Sequence, residues 1–142
     1  MMNHTSYQIA LPQDTEVVVF LNGIKALNPK GFFWLWQQVF TAKLNTVIKA
    51  SGCVETKLSI CSPTEVVIIS YWQDEASLTE FFHSPLHRQM MKDMMQIVAA
   101  DPKAIAVFNE TYRPIKSGRY YNEPQGLAKI YPAIEPIKAV AG

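Results

Sequence analysis

Glu65–Gln73, EVVIISYWQ, is the stretch around which the chain has to be arranged. Val66, Val67, Ile68 and Ile69 are apolar at both parities, and a strand without a polar face needs cover on both sides. Tyr71 and Trp72 follow at its end, two large rings whose polar handles need partners once buried. A site at the mouth of this sheet is expected beside them.

Working outward, Glu16–Asn22 (EVVVFLN) is a second strand of the same kind, with Val17, Val19 and Leu21 on one face and Val18 and Phe20 on the other. Gly23 and Asn28-Pro29 break it. Asn28 suits an N-cap and Pro29 the first helical position, so a helix is predicted from there to about Ala50, with Phe33, Trp36, Phe40, Leu44, Val47 and Ile48 at helical spacing. Gly52 is expected to take the left-handed conformation that ends it. Cys53–Cys61 alternates polar and apolar, as an edge strand with one wet face does, and Ser62-Pro63-Thr64 turns it antiparallel onto Glu65–Trp72. Asp74 caps a helix carrying Leu78, Phe81 and Phe82. Ser84-Pro85 interrupts it and opens a second segment, with Leu86, Met90, Met94 and Ile97 at helical spacing up to Asp101-Pro102. Ile105–Tyr112 (IAVFNETY) is the last strand, stopped by Pro114.

Strand, helix, strand, strand, helix, strand is the ferredoxin-like βαββαβ order, an α+β fold. Residues 1–14 read as a loose arm, 15–113 as the ferredoxin-like domain, and 114–142 as a tail, rich in proline and tyrosine, that wraps over its own domain or a partner. Two helices cover only one face of a four-stranded sheet. At about 25 cal/mol per Å2, wetting the other face would forfeit several kcal/mol. A second copy, giving a homodimeric α/β barrel, is the expected cover.

Composition narrows the function. The 142 residues are 49% hydrophobic and 18% charged, which is a globular balance. A net charge of +1, with thirteen basic residues scattered along the chain, argues against nucleic acid and anionic membrane as partners. No apolar stretch approaches the length of a membrane span, and MMNHTSYQIALPQ lacks a signal-peptide layout, so a cytoplasmic location is expected. Cys53 and Cys61, roughly 26 Å apart at ~3.3 Å per strand residue, are too distant for a disulfide or a shared metal. Phosphate-binding glycine loops, metal-ligand spacings, nucleophile elbows and flavin or nicotinamide fingerprints are all missing.

VVVFLNGIK, ISYWQDEASLTEFF followed by His87, and FNETYRPIKSGRYY followed by GLAKI resemble the small monooxygenase-like family related to a fumagillin-pathway enzyme, over about Glu16 to Ile130. That family, once a domain of unknown function, is grouped with the antibiotic-biosynthesis-monooxygenase type of dimeric α/β barrel. The resemblance implies that fold and a monooxygenase-like activity without a cofactor, on an apolar or aromatic metabolite held between sheet and helices. The electrons would come from the substrate, typically an electron-rich ring or enol. This chain departs from the pattern at Phe108-Asn109, where the family resembles Trp-His before Glu110, and at Asn22, in a usually apolar stretch. A non-enzymatic dimer binding a small ligand is the alternative those departures suggest.

Glu110 and Tyr112 share a strand parity with Ala106 and Phe108. On an apolar face, Glu110 would have a raised pKa suited to general-base work; otherwise it pairs with Arg113, Arg88 or a backbone amide. Trp72 either holds an aromatic substrate, as the resemblance implies, or is core with its indole N–H satisfied. His87 shares a helix face with Met91, Met94 and Val98, where it is a hydrogen-bonded core histidine or, as in haem-binding relatives of this barrel, an axial ligand; His83 is the other haem candidate. Met90, Met91, Met94 and Met95 line a site or fill an irregular core. The expected cavity thus takes Glu110, Tyr112, Trp72 and His87 as catalytic groups, and Asn22, Tyr71, Phe108, Met91 and Met94 as substrate contacts, with no metal.

Overall fold

The computed structural model describes residues 6–41 and 52–137, with side chains described as far as residue 134. The elements are β1 (Ser6–Ile9), β2 (Val18–Ala26), α1 (Pro29–Phe40), β3 (Cys53–Ser62), β4 (Glu65–Trp72), α2 (Glu75–Phe82), α3 (Pro85–Ala100), β5 (Ile105–Tyr112), β6 (Tyr120–Tyr121), a 3-10 turn (Gly126–Lys129) and β7 (Ala133–Ile137). The large sheet has the order β3-β4-β2-β5, antiparallel throughout, which is the ferredoxin-like arrangement. As expected, β3 lies at an edge.

Each helix starts where the sequence supplies an acceptor. Asn28 Oδ1 accepts from the Gly31 amide at 2.9 Å, Asp74 Oδ1 from Ser77 at 2.7 Å, and Ser84 Oγ from His87 at 3.2 Å. Such a cap is worth about 1 kcal/mol. The predicted continuation of α1 to Ala50 lies outside the described residues; Gly52 itself has a φ of +85°.

Three expectations change. The first strand of the large sheet does not break at Gly23 but runs on to Ala26, pairing Gly23 with Val67 on one side and Phe108 on the other. The glycine serves a close approach: a Cβ there would collide with the Phe108 ring. Second, the described part of the arm is not loose. β1 pairs with β6 and β7 from the tail, and Ser6 and Ile9 are buried. Third, β4 is not equally covered on its two faces within the chain. Val66, Ile68, Ser70 and Trp72 are buried, whereas Val67, Ile69 and Tyr71 are half-covered.

The even-numbered residues of β2 and β4 face the helices. Ala26 and Val66 pack with Leu35 of α1, and Val18 and Trp72 with Leu78 and Phe81 of α2. On the opposite face, Tyr71 packs among Val17, Ile9 and Leu127, so arm and tail close over one end of the sheet. Glu55 pins that tail, accepting from the Gly126 amide and pairing with Lys129 Nζ at 3.5 Å. Over its described residues the tail packs against this chain's own sheet.

Candidate functional site

Between the sheet and the helices is a cavity of about 90 Å3. Phe20, Asn22 and Ile24 form its floor with Ile68, Ser70 and Trp72 of the neighbouring strand, in register (Phe20 opposite Ser70, Asn22 opposite Ile68). Trp34 and Gln38 come from α1, Phe81 from α2, and His87, Met90, Met91 and Met94 from α3. The walls are predominantly apolar with a few inward polar groups, the usual make-up of a small-molecule site.

Trp72 is fully buried, and its indole N–H is satisfied: Nε1 donates to Ser70 Oγ at 2.8 Å, and Ser70 Oγ donates to the Phe20 carbonyl at 3.4 Å. The ring is at once core and cavity wall. Ser70 was missed in the sequence, although it is the one hydroxyl among Val66, Ile68 and Trp72 at the buried parity. Trp34 and Gln38 were also missed; their i, i+4 spacing places both on one side of α1.

His87 is half-buried. Its Nδ1 donates to the Phe82 carbonyl at 3.1 Å, so the neutral imidazole presents Nε2 as an acceptor. Phe81 and Phe82 flank the ring, with centroids at 5.3 Å and 5.1 Å. Burial lowers the His87 pKa, opposed by the Phe82 bond, which favours the protonated form. Asn22 brings an amide to the floor that no described residue hydrogen-bonds. Opposite it on β5, on the helix-side parity, is Asn109, where the family resemblance has an imidazole.

Not all expected site residues meet here. Trp72, His87, Asn22, Met91 and Met94 line the cavity. Glu110, Tyr112, Phe108 and Tyr71 do not: their parity puts them on the opposite face of the sheet. Glu110 is exposed, not enclosed by apolar walls; its Oε2 accepts from Tyr112 Oη at 3.0 Å, which raises the Tyr112 pKa. Nor does Arg113 join it, being paired with Glu75 at 3.2 Å. Phe108 covers Gly23, and Tyr71 packs under the tail, where burial and then the Glu55 charge raise its pKa. His83 is exposed at the C-cap of α2, leaving His87 as the one of the two that faces the cavity. Cys53 and Cys61 are free thiols. Among the described residues there is no cluster of three or more His, Cys, Asp or Glu able to hold a metal, and no helix is long and apolar enough to cross a membrane.

The family model of monooxygenase af470-like proteins matches residues 17–125. The chain belongs to the af470-like monooxygenase family. Solved structures share its fold at low identity. SnoaB from Streptomyces nogalater, a cofactor-independent oxygenase, is 15% identical with a TM-score of 0.51, over 72% of this chain and 96% of its own. A candidate antibiotic biosynthesis monooxygenase from Nitrosomonas europaea is 12% identical with a TM-score of 0.54, over 74% and 96%. Rv0793 from Mycobacterium tuberculosis is 16% identical with a TM-score of 0.52, over 70% and 97%. No curated protein matches the chain in sequence. These likenesses carry the α+β ferredoxin-like fold alone.

Proposed function

We propose that this family member is a cofactor-independent monooxygenase that takes an apolar, enolisable aromatic molecule into the cavity between sheet and helices. The observation that carries the proposal is the meeting of His87, Asn22 and the anchored Trp72 ring in one apolar enclosure. His87 Nε2 is the base that removes a proton from an activated methylene, its lowered pKa keeping it neutral at physiological pH. The Asn22 amide donates to the enolate oxygen that develops. Trp72 lies against the ring. In the overall step a methylene becomes a carbonyl: one atom of O2 enters the substrate, the other leaves as water with the two displaced hydrogens, and all electrons come from the substrate. Glu110 and Tyr112 have no part in this chemistry.

A second copy of the chain is proposed to cover the other face of the large sheet, where Val19, Leu21, Val67 and Ile69 are half-covered and Phe108 is exposed. Sedimentation velocity tests this directly, and stable monomers at micromolar concentration would exclude it.

The test of activity uses anthrone, whose central methylene enolises, in air-saturated buffer. The expected result is oxygen uptake equal to anthraquinone formed, with an acid limb of kcat/KM, activity falling with pH below the ordinary histidine pKa of ~6.5 as His87 protonates. His87→Gln removes that limb, and Asn22→Leu lowers kcat by roughly 10–1000-fold, in the range for a lost oxyanion donor. Oxygen uptake unchanged in both variants refutes the assignment. Anthrone bound and recovered unaltered in air would instead favour a ligand-binding protein.

A further inference from the structure

Trp34 and Gln38 belong to two spaces. The same two side chains also line a second space of about 360 Å3 between α1 and α3, whose other walls include Gln37, Asp93 and Gln96. The contrast in chemistry is sharp. The inner space has almost wholly apolar walls, whereas three amides and a carboxylate converge on the outer one.

We infer that the substrate is bipartite: a planar apolar part in the cavity, and an uncharged polyhydroxylated appendage, such as a glycosyl group, in the groove between α1 and α3. The inference rests on the proposed function, because it takes the cavity as the seat of the reacting ring. Each glutamine amide both donates and accepts, which suits hydroxyl groups that do the same. Asp93 Oδ1 takes a bond from Gln89 Nε2 at 3.0 Å, which fixes the carboxylate at the wall, and among the described lining residues there is no Lys or Arg to hold an anionic appendage. Trp34 offers a flat apolar surface of the kind against which the C–H face of a sugar packs. Shared by both spaces, Trp34 and Gln38 would sit at the bond joining ring to appendage.

Quenching of tryptophan fluorescence by three probes tests this: 1-naphthol, 1-naphthyl β-D-glucopyranoside and 1-naphthyl phosphate. The glucoside is expected to bind about tenfold more tightly than naphthol, equivalent to ~1.4 kcal/mol, and the phosphate more weakly than naphthol. Gln37→Ala and Gln96→Ala, both at exposed positions, should together reduce the glucoside advantage below about threefold while leaving the affinity for naphthol unaltered. Equal binding of glucoside and naphthol, a persistent advantage in the double variant, or preference for the phosphate would overturn the polyol groove and leave the cavity standing. If naphthol itself fails to bind, the cavity falls and the bipartite substrate with it.

Discussion

Replacing Ser70 by alanine removes one oxygen from a site that is 1% exposed, yet its effect should be large. The Trp72 indole N–H is fully buried and has Ser70 Oγ as its acceptor at 2.8 Å. Leaving a buried donor unpaired costs ~1–3 kcal/mol. The hydroxyl's own bond to the Phe20 carbonyl, at 3.4 Å, is at the limit of useful length and adds little. Urea denaturation followed by circular dichroism should therefore show a lower midpoint at constant m, with a loss of ~1–3 kcal/mol and a fall in Tm of roughly 3–10 °C. Trp72→Phe alone should cost ~2 kcal/mol through lost packing. In the double variant no indole N–H remains to be orphaned, so its cost should fall short of the sum by ~1 kcal/mol or more. A Ser70→Ala variant within ~0.5 kcal/mol of the parent, or strict additivity, would show that Ser70 does not anchor the ring. The same variant should weaken binding of 1-naphthol, because the loosened indole is a cavity wall.

Glu110→Gln and Tyr112→Phe should leave probe binding and oxygen uptake within about twofold of the parent, because both side chains lie on the face of the sheet away from the cavity; a large loss of turnover in either would refute the placement of the site. Gly31→Ala should destabilise by more than ~2 kcal/mol, measured by urea melting, because a Cβ there would fall on the Ala104 carbonyl and force α1 away from β5; a neutral result would show that this contact can relax. Stability should also drop as pH falls below ~6.5, where the unfolded chain protonates its histidines while His87 in the fold resists; the slope should shrink in His87→Gln, followed by thermal melts from pH 5 to 7.5.

Much of the architecture is legible one residue at a time. Asn28, Asp74 and Ser84 each sit before a helix they cap, and Ser62-Pro63-Thr64 joins two strands that pair as predicted. Such signals are carried by residues within four positions of one another. The site was half legible: Trp72, His87, Asn22, Met91 and Met94 converge, whereas Ser70, Trp34 and Gln38 went unrecognised. A serine inside an apolar strand carries no local sign that it serves an indole two residues away. The extension of β2 past Gly23 was hidden for a similar reason, since glycine marks a break or a close approach, and only the Phe108 ring distinguishes them.

The order of the large sheet and its helices, the caps and the sharing of a face by Glu110 and Tyr112 came from the amino-acid sequence alone, because strand alternation and helical spacing are properties of adjacent residues. Which face the helices cover was decided by tertiary packing. Both sides of β2 and β4 are apolar, so the pattern had no preference between them; the packing of Leu35, Leu78 and Phe81 on the even-numbered side put His87 above Asn22 and left Glu110 in the open.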